Sequence, residues 1–336
     1  MKTAAAFLVL CLSLFAQDDS KSLRITWIDV EGGAATLVVT PEGGSLLMDC
    51  GWPGKRDAER IAAAVKAAGL KQIDHYLVSH FHTDHWGGTP DLAERVTIGK
   101  YYYHAFPDAS AKDVEPKIKE PFLKLSEGKS VVLEAGHEIP LKGAQVKILV
   151  ANGLAPGEAA GAPQIRKCEA NPGHPEKPED KSDNARSIGF LLTFGGFKFV
   201  NFGDLTWNVE HKLVCPTNLI GTADVYQVSH HGLDISNHPA LLKAVGPTVA
   251  VINNGAKKGG SAATYKWLKE TPSIKDVFQV HRNVATKPEE NTAPELTAND
   301  EEKCEGHGIV LTVDAAGKNY TVEVPSKKTK KTYAVK

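Results

Sequence analysis

The chain has 336 residues, 42% of them hydrophobic and 24% charged, an ordinary globular composition that excludes disorder as its main theme. A formal net charge of -1 leaves no whole-molecule field calling for nucleic acid or an anionic membrane surface.

The N-terminus carries Lys2, an apolar run from Ala4 to Phe15, then Ala16 before the polar stretch Gln17 to Ser20. A basic start, an apolar run too short to span a bilayer and a small residue at the polar switch predict an export signal over 1–16. The mature protein would then be secreted or periplasmic, with no other segment apolar enough to span a membrane. Removing Cys11 leaves Cys50, Cys168, Cys215 and Cys304. Their even number permits disulfides, with Cys168 and Cys304 the first pair to expect because both lie in polar, loop-like surroundings. Cys50 and Cys215 adjoin apolar runs and are expected to be free and buried.

Apolar runs Leu23 to Val30, Ala34 to Thr40 and Ser45 to Asp49, separated by glycine pairs, predict consecutive strands. Arg56 to Ala68 has helical spacing and closes at Gly69. Ile73 to Ser79 then reads as a buried strand that stops at His80. Further strands are expected at Ile98 to Tyr103, near Val131 and Ile139, and over Val146 to Val150, with a charged helical stretch around Ala111 to Leu125. Asn152 to Asp183, rich in Gly, Pro and charge, predicts a surface insertion over 152–183, lying by its position near a pocket mouth that it would gate. Ser187 to Phe194 and Phe197 to Phe202 form a hairpin pattern. Helices are expected at Thr206 to Val214, Pro239 to Val245 and Ala262 to Glu270. Strands are expected at Asp224 to Ser229, Thr248 to Ile252, Phe278 to His281 and Ile309 to Val313. A single large domain is expected over 17–325, and 326–336 reads as a basic tail. Strand-then-helix alternation in both halves points to two packed βα halves around one site.

The most informative segment is His80-Phe81-His82-Thr83-Asp84-His85, on the loop after a strand. On an extended loop His80 and His82 point to one side and can hold one cation; Asp84 and His85, where the chain turns into a helix, can address a second. One or two divalent ions are implied, zinc first, with manganese or iron also suited to nitrogen and oxygen ligands. Two later strand ends add candidates: Asp204 after Phe199 to Gly203, and His230-His231 after Val225 to Ser229. Asp204 alone is equally an N-cap for the helix that follows.

These segments resemble the metallo-β-lactamase fold hydrolases. Leu46 to Gly51 matches the family's strand ending in Asp-x-Gly, and His80 to His85 matches its HxHxDH. The resemblance implies an α/β fold, an αββα sandwich of two mixed β-sheets with helices on the outer faces. It also implies Asp204 as the bridging carboxylate, His230 as the late histidine on the second metal, and Asp49 as the residue that orients the ligand loop. One departure matters: where most of the superfamily has another histidine, this chain has Ser182-Asp183-Asn184-Ala185-Arg186-Ser187. That Asn-x-x-Ser pattern, the opening Ile28 to Ala34 and the Ser-His-His-Gly segment are similar to the branch holding the soluble domain of the bacterial competence DNA-uptake channel. Asn184, His174 or water would fill the vacancy, with Ser187 beside it.

The implied reaction is hydrolysis by a metal-bound hydroxide, with a phosphodiester as substrate. Asp84 would accept a hydrogen bond from the hydroxide while binding its cation. His231, or His281 at a later strand end, would donate to the developing charge; His104 reads as structural. Neutral charge and the lack of aromatics interleaved with Lys and Arg count against a nucleic-acid polymer. A lactone or amide hydrolase is the second reading, and a metal-binding module without turnover the third; oligomeric state is not legible.

Overall fold

The computed structural model describes residues 21–107, 114–156 and 176–336. The expected export signal, Cys168, His174 and most of the insertion lie outside them. The first half runs β1 (Leu23–Trp27), β2 (Thr36–Val39), β3 (Ser45–Met48), α1 (Lys55–Ala67), β4 (Gln72–Leu77), α2 (Thr83–Trp86), α3 (Thr89–Ala93), β5 (Thr97–Tyr103), α4 (Pro116–Ser126) and β6 (Ser130–Val132). Next come β7 (Glu138–Ile139), β8 (Gln145–Val150), β9 (Gly189–Phe194), β10 (Phe197–Asn201), α5 (Trp207–Val214), β11 (Val225–Gln227) and α6 (Pro239–Val245). β12 (Val249–Ile252), α7 (Ala262–Glu270), β13 (Asp276–His281) and β14 (Thr297–Asn299) follow, and β15 (Ile309–Val313), β16 (Asn319–Val324) and β17 (Thr329–Ala334) close the chain.

Two mixed sheets result. One has the order β17-β16-β15-β1-β2-β3-β4-β5-β6, the other β14-β13-β12-β11-β10-β9-β8-β7. Side-chain alternation sorts each strand between two cores, because successive residues face opposite sides of a sheet. Leu46 and Met48 of β3 join Val249 and Val251 of β12 in the core between the sheets. Leu47 faces the layer shared with Ile61 and Val65 of α1. Ala250 and Ile252 face the layer shared with Leu213, Leu241 and Leu268 of α5, α6 and α7. This is the expected αββα sandwich. Trp27 Nε1 and Thr36 Oγ1 both donate to Gln227 Oε1 (2.8 Å each), tying the sheets together across the central core. Among the described residues no helix is long and apolar enough to cross a membrane.

β3 and β4 run parallel, as do β10 to β14, so the chain leaves several strands at the same rim. Such rims, outside the carboxyl ends of strands, are where α/β sheets collect functional side chains.

Two expectations need correction. The 326–336 segment is no tail: β17 pairs with β16 from Val324↔Thr329 to Asn319↔Ala334. Thr329, Thr332 and Tyr333 supply strand-forming side chains, while the lysines that disguised the pattern sit on an exposed edge, where charge blocks pairing with another chain. Cys215 is only half-buried, although free like Cys50 and Cys304. Tyr333 stacks on Tyr320 at 5.2 Å and donates to Asp276 Oδ2 at 2.7 Å. We expect Tyr333→Ala to cost about 2 to 4 kcal/mol of unfolding free energy in a denaturant titration; an unchanged midpoint would mean the edge strand adds nothing to stability.

Candidate metal centre

The centre starts at the end of β3. Asp49 has a left-handed backbone (φ 62) that turns its carboxylate, buried to 1% exposure, toward the loop after β4. Its oxygens accept from the Ser79 N–H and Ser79 Oγ, both at 2.7 Å, and from His85 Nδ1 at 2.7 Å. Two tautomers follow from this proton count. His85 donates through Nδ1, so its Nε2 faces the centre. Ser79 Oγ gives its one proton to Asp49, so His80 Nδ1 donates to that oxygen at 3.0 Å and His80 Nε2 keeps a bare lone pair.

His85 Nε2 lies 3.2 Å from Asp204 Oδ2, 3.3 Å from Asp84 Oδ2 and 3.1 Å from His231 Nε2. His80 Nε2 is buried, 4.0 Å from Asp204 Oδ2, and makes no hydrogen bond. The His82 ring stands 4.7 Å from that of His80, centroid to centroid. Gly33 explains the opening Ile28 to Ala34 segment: a Cβ there would lie 2.4 Å from the Asp84 carbonyl oxygen, to which the Ala34 N–H donates at 3.1 Å. Asp183 braces the loop from the far side, accepting from the Phe81 N–H at 2.7 Å and pairing with His104 at 3.3 Å. His104 is thus a structural group.

The second sheet supplies the other donors. Asp204 follows β10, and its N–H donates to Ser187 Oγ at 3.2 Å. His230 and His231 follow β11, and here the structure reverses an expectation. His231, not His230, stands against the Asp84 and His85 pair, with Nε2 3.1 Å from Asp84 Oδ2. His230 Nε2 lies instead 3.4 Å from Asp204 Oδ2 and 3.4 Å from Asn184 Nδ2. His281 is also displaced from its expected catalytic place. Its Nε2 is 2.8 Å from Asp29 Oδ1, with Cys304 Sγ at 3.9 Å, because the end of β13 faces the end of β1 across the sandwich. The half-buried Cys304 thiol donates to Asp29 Oδ2 at 3.4 Å.

One group was missed by sequence reasoning. Lys258, on the loop after β12, places its ammonium on Asp84 Oδ2 and over the Trp52 ring, 5.1 Å from the centroid. A Lys-Lys-Gly-Gly run just beyond a strand end was the available signal.

The electrostatics ask for positive charge. Burial disfavours a charged His85, yet Asp204, Asp84 and Asp49 hold its pKa well above the ordinary histidine value. Burial also raises the carboxyl of Asp84, but His85 and His231 bring it below the usual range, and the neighbouring histidines do the same for Asp204. Burial, with His85 beside it, keeps His80 well below the ordinary value and therefore neutral. A neutral, unpartnered ring nitrogen beside buried carboxylates, with a lysine ammonium already on one of them, is a donor set that fits a divalent cation. His80, His85 and Asp204, and likewise Asp84, His85 and His231, bring ligand atoms within 4.8 Å of one another.

Residues 28–162 match the family model described as the Metallo-beta-lactamase superfamily. That stretch of the chain is similar to this superfamily. The match includes Asp49 and the His80 to His85 loop; Asp204, His230 and His231 lie beyond it. The chain is 25% identical over 260 residues to Recombination protein 2 of Haemophilus influenzae, covering 76% of this chain and 27% of that protein. It is 25% identical over 250 residues to ComE operon protein 3 of Bacillus subtilis, covering 69% of this chain and 28% of that protein. The chain therefore spans about a quarter of the length of these curated relatives. Among solved structures, the metallo-beta-lactamase fold protein YhfI from Bacillus subtilis aligns with 77% of this chain and 95% of its own at a TM-score of 0.48 and 14% identity.

Asp49 touches no shared donor point, but it fixes the His85 tautomer and the loop that carries His80 to His85. We expect Asp49→Ala to weaken metal binding about 10- to 100-fold in a competition titration with a chromophoric chelator. Unchanged affinity would show that the loop holds its shape without that carboxylate.

Proposed function

We propose that the protein is a metal-dependent hydrolase acting on a small phosphodiester. The observation that carries this reading is the convergence of Asp84, His85, Asp204 and His231 beside the unpartnered His80 nitrogen, with a lysine ammonium at the same place. His80, His82, Asp84, His85, Asp204 and the His230-His231 pair would hold one or two divalent ions. Bound there, such ions lower the pKa of a water to near neutrality and polarise the oxygen under attack.

The chain's own groups do the rest. Asp49 and Ser79 hold the His80 and His85 rings with their Nε2 atoms facing inward. Asp84 is placed to accept a hydrogen bond from a water as well as to bind a cation, and its low pKa, reached against the push of burial through His85 and His231, keeps it ionised for both tasks. The Lys258 ammonium is the anion-directed element. Its side chain is 35% exposed, so it can meet a substrate oxygen while lying against the donor set. A cavity of ≈ 390 Å³ opens on the Asn184 side, with Lys177, Thr206, Trp207 and Ile235 in its wall. Its size suits a small molecule. The near-neutral chain favours a small diester over a nucleic-acid polymer. We also read 1–16 as an export signal, which an exported form beginning at Gln17 by N-terminal sequencing would bear out and a retained Met1 would refute.

The deciding experiment is hydrolysis of bis(p-nitrophenyl) phosphate by protein stripped of metal and reloaded with zinc or manganese. Turnover that needs metal and falls to background in His85→Ala supports the reading. Lys258→Ala should lower kcat/KM for the diester about tenfold, the worth of one charge-assisted hydrogen bond. A neutral lactone used as comparison should not respond to that substitution. Lactone turnover without diester turnover would transfer the proposal to the lactone or amide reading. Verified metal loading with neither activity would leave a metal-binding module.

A further inference from the structure

Alternation in an extended strand would send the neighbouring side chains of His230 and His231 to opposite faces, and only one of them would reach the centre. The backbone prevents this. His230 (φ 54, ψ 44) and His231 (φ 52, ψ 16) are both left-handed, a conformation that costs a residue with a side chain on the order of 1–3 kcal/mol and persists only where the surroundings impose it. The surroundings do impose it. The His230 N–H donates to the Gly203 carbonyl at 3.0 Å, the Gly260 N–H to the His231 carbonyl at 2.8 Å, and the Ser261 N–H to the Gly232 carbonyl at 2.9 Å. Gly259 closes over the turn so tightly that a Cβ there would lie 2.2 Å from the His231 carbonyl oxygen.

The tight turn brings both rings to one carboxylate oxygen from two directions. His230 Nε2 and His231 Nε2 are each 3.4 Å from Asp204 Oδ2, with ring planes at 64°. Each ring is oriented through its other nitrogen: His231 Nδ1 donates to the Asn253 carbonyl at 2.9 Å, and His230 Nδ1 meets Ser236 Oγ at 3.2 Å. Beyond Asp204 their neighbours differ. His231 faces Asp84 and His85. His230 faces Asn184, in the segment where a histidine is missing, and the buried Asn184 Oδ1 has no hydrogen-bond partner.

We propose that the two histidines serve different cations. His230, assisted by Asn184, supplies the ligand that the absent histidine would have supplied beside His80 and His82, while His231 completes the set formed by Asp84 and His85, with Asp204 common to both. This rests on the reading of the centre as a metal site. It explains why the chain spends two strained positions on adjacent histidines when one late ligand is all that the resemblance requires.

The test is metal stoichiometry by elemental analysis after gel filtration, together with the visible spectrum of the cobalt(II)-loaded protein. Wild type should hold about two equivalents, and His230→Ala and His231→Ala about one each, with different cobalt spectra because different sites survive. His230→Ala combined with His82→Ala should lose no more than either alone, whereas His230→Ala with His231→Ala should lose nearly all. Asn184→His in the His230→Ala background should restore about two equivalents, which separates loss of a ligand from loss of the fold. Wild type at about two equivalents with His230→Ala unchanged overturns this inference and leaves the metal centre standing. A wild type that takes up no metal overturns both.

Discussion

The constraint on which the rest of the structure depends is the burial of three carboxylates around one imidazole. Asp49, Asp84 and Asp204 are exposed by 1%, 6% and 3%, and all approach His85. Removing an ionised carboxylate from water costs several kcal/mol unless a positive partner is supplied, and three of them share few neutral donors here. The positive partners the chain itself brings are His85, whose pKa these carboxylates hold well above the ordinary value, and the Lys258 ammonium on Asp84. Both are monovalent, and His80 Nε2 makes no hydrogen bond. A divalent ion satisfies carboxylate and imidazole donors together, so the stability of the rim and its chemistry are one question.

Holding that much charge in place requires a rigid frame, which the sandwich provides. Asp49 and the His80 loop come from one sheet and Asp204 with the late histidines from the other, so the centre forms only when the two sheets are in register. The Gln227 side chain, at the end of β11 and three residues before His230, accepts from Trp27 and Thr36 in the core beneath and fixes that register with a polar contact that apolar packing alone would not specify.

How much of this was legible depended on how local each signal was. The ligand loop could be read directly, because its four candidates lie within six residues and their spacing carries the geometry. Asp204 and the paired histidines could be found because each ends an apolar run, which fixes its height in the sheet. The division of roles between His230 and His231 could not be read, since a left-handed pair leaves no trace in residue type when the residues are histidines. The glycines that permit it, Gly232, Gly259 and Gly260, are scattered over two loops. Lys258 was hidden for a similar reason: it reaches the centre through the fold from a loop with no other ligand character. The closing strand was misread because its lysines broke the alternation, and that alternation was present only on the face that packs on Tyr320.

His281 was placed in the wrong role by a signal that was nonetheless real. It does end a strand at the functional rim, but its backbone does the work there: its N–H meets Asn254 Oδ1 at 3.2 Å, and its carbonyl accepts from Asn254 Nδ2 at 2.8 Å. The preceding residue, Asn253, offers the carbonyl that orients His231. On the other side of the His281 ring, Asp29 also accepts from Arg60 and from the Glu31 N–H, which anchors the turn leading into Gly33 and so to the backbone of Asp84. The Asp29 and His281 pair therefore braces the centre from behind, on the His231 side through Asn253 and on the Asp84 side through Gly33. A buried pair of this kind does not join the donor set itself, yet it fixes the spacing between Asp84 and His231, and in any site built on both of them that spacing would set which ion fits.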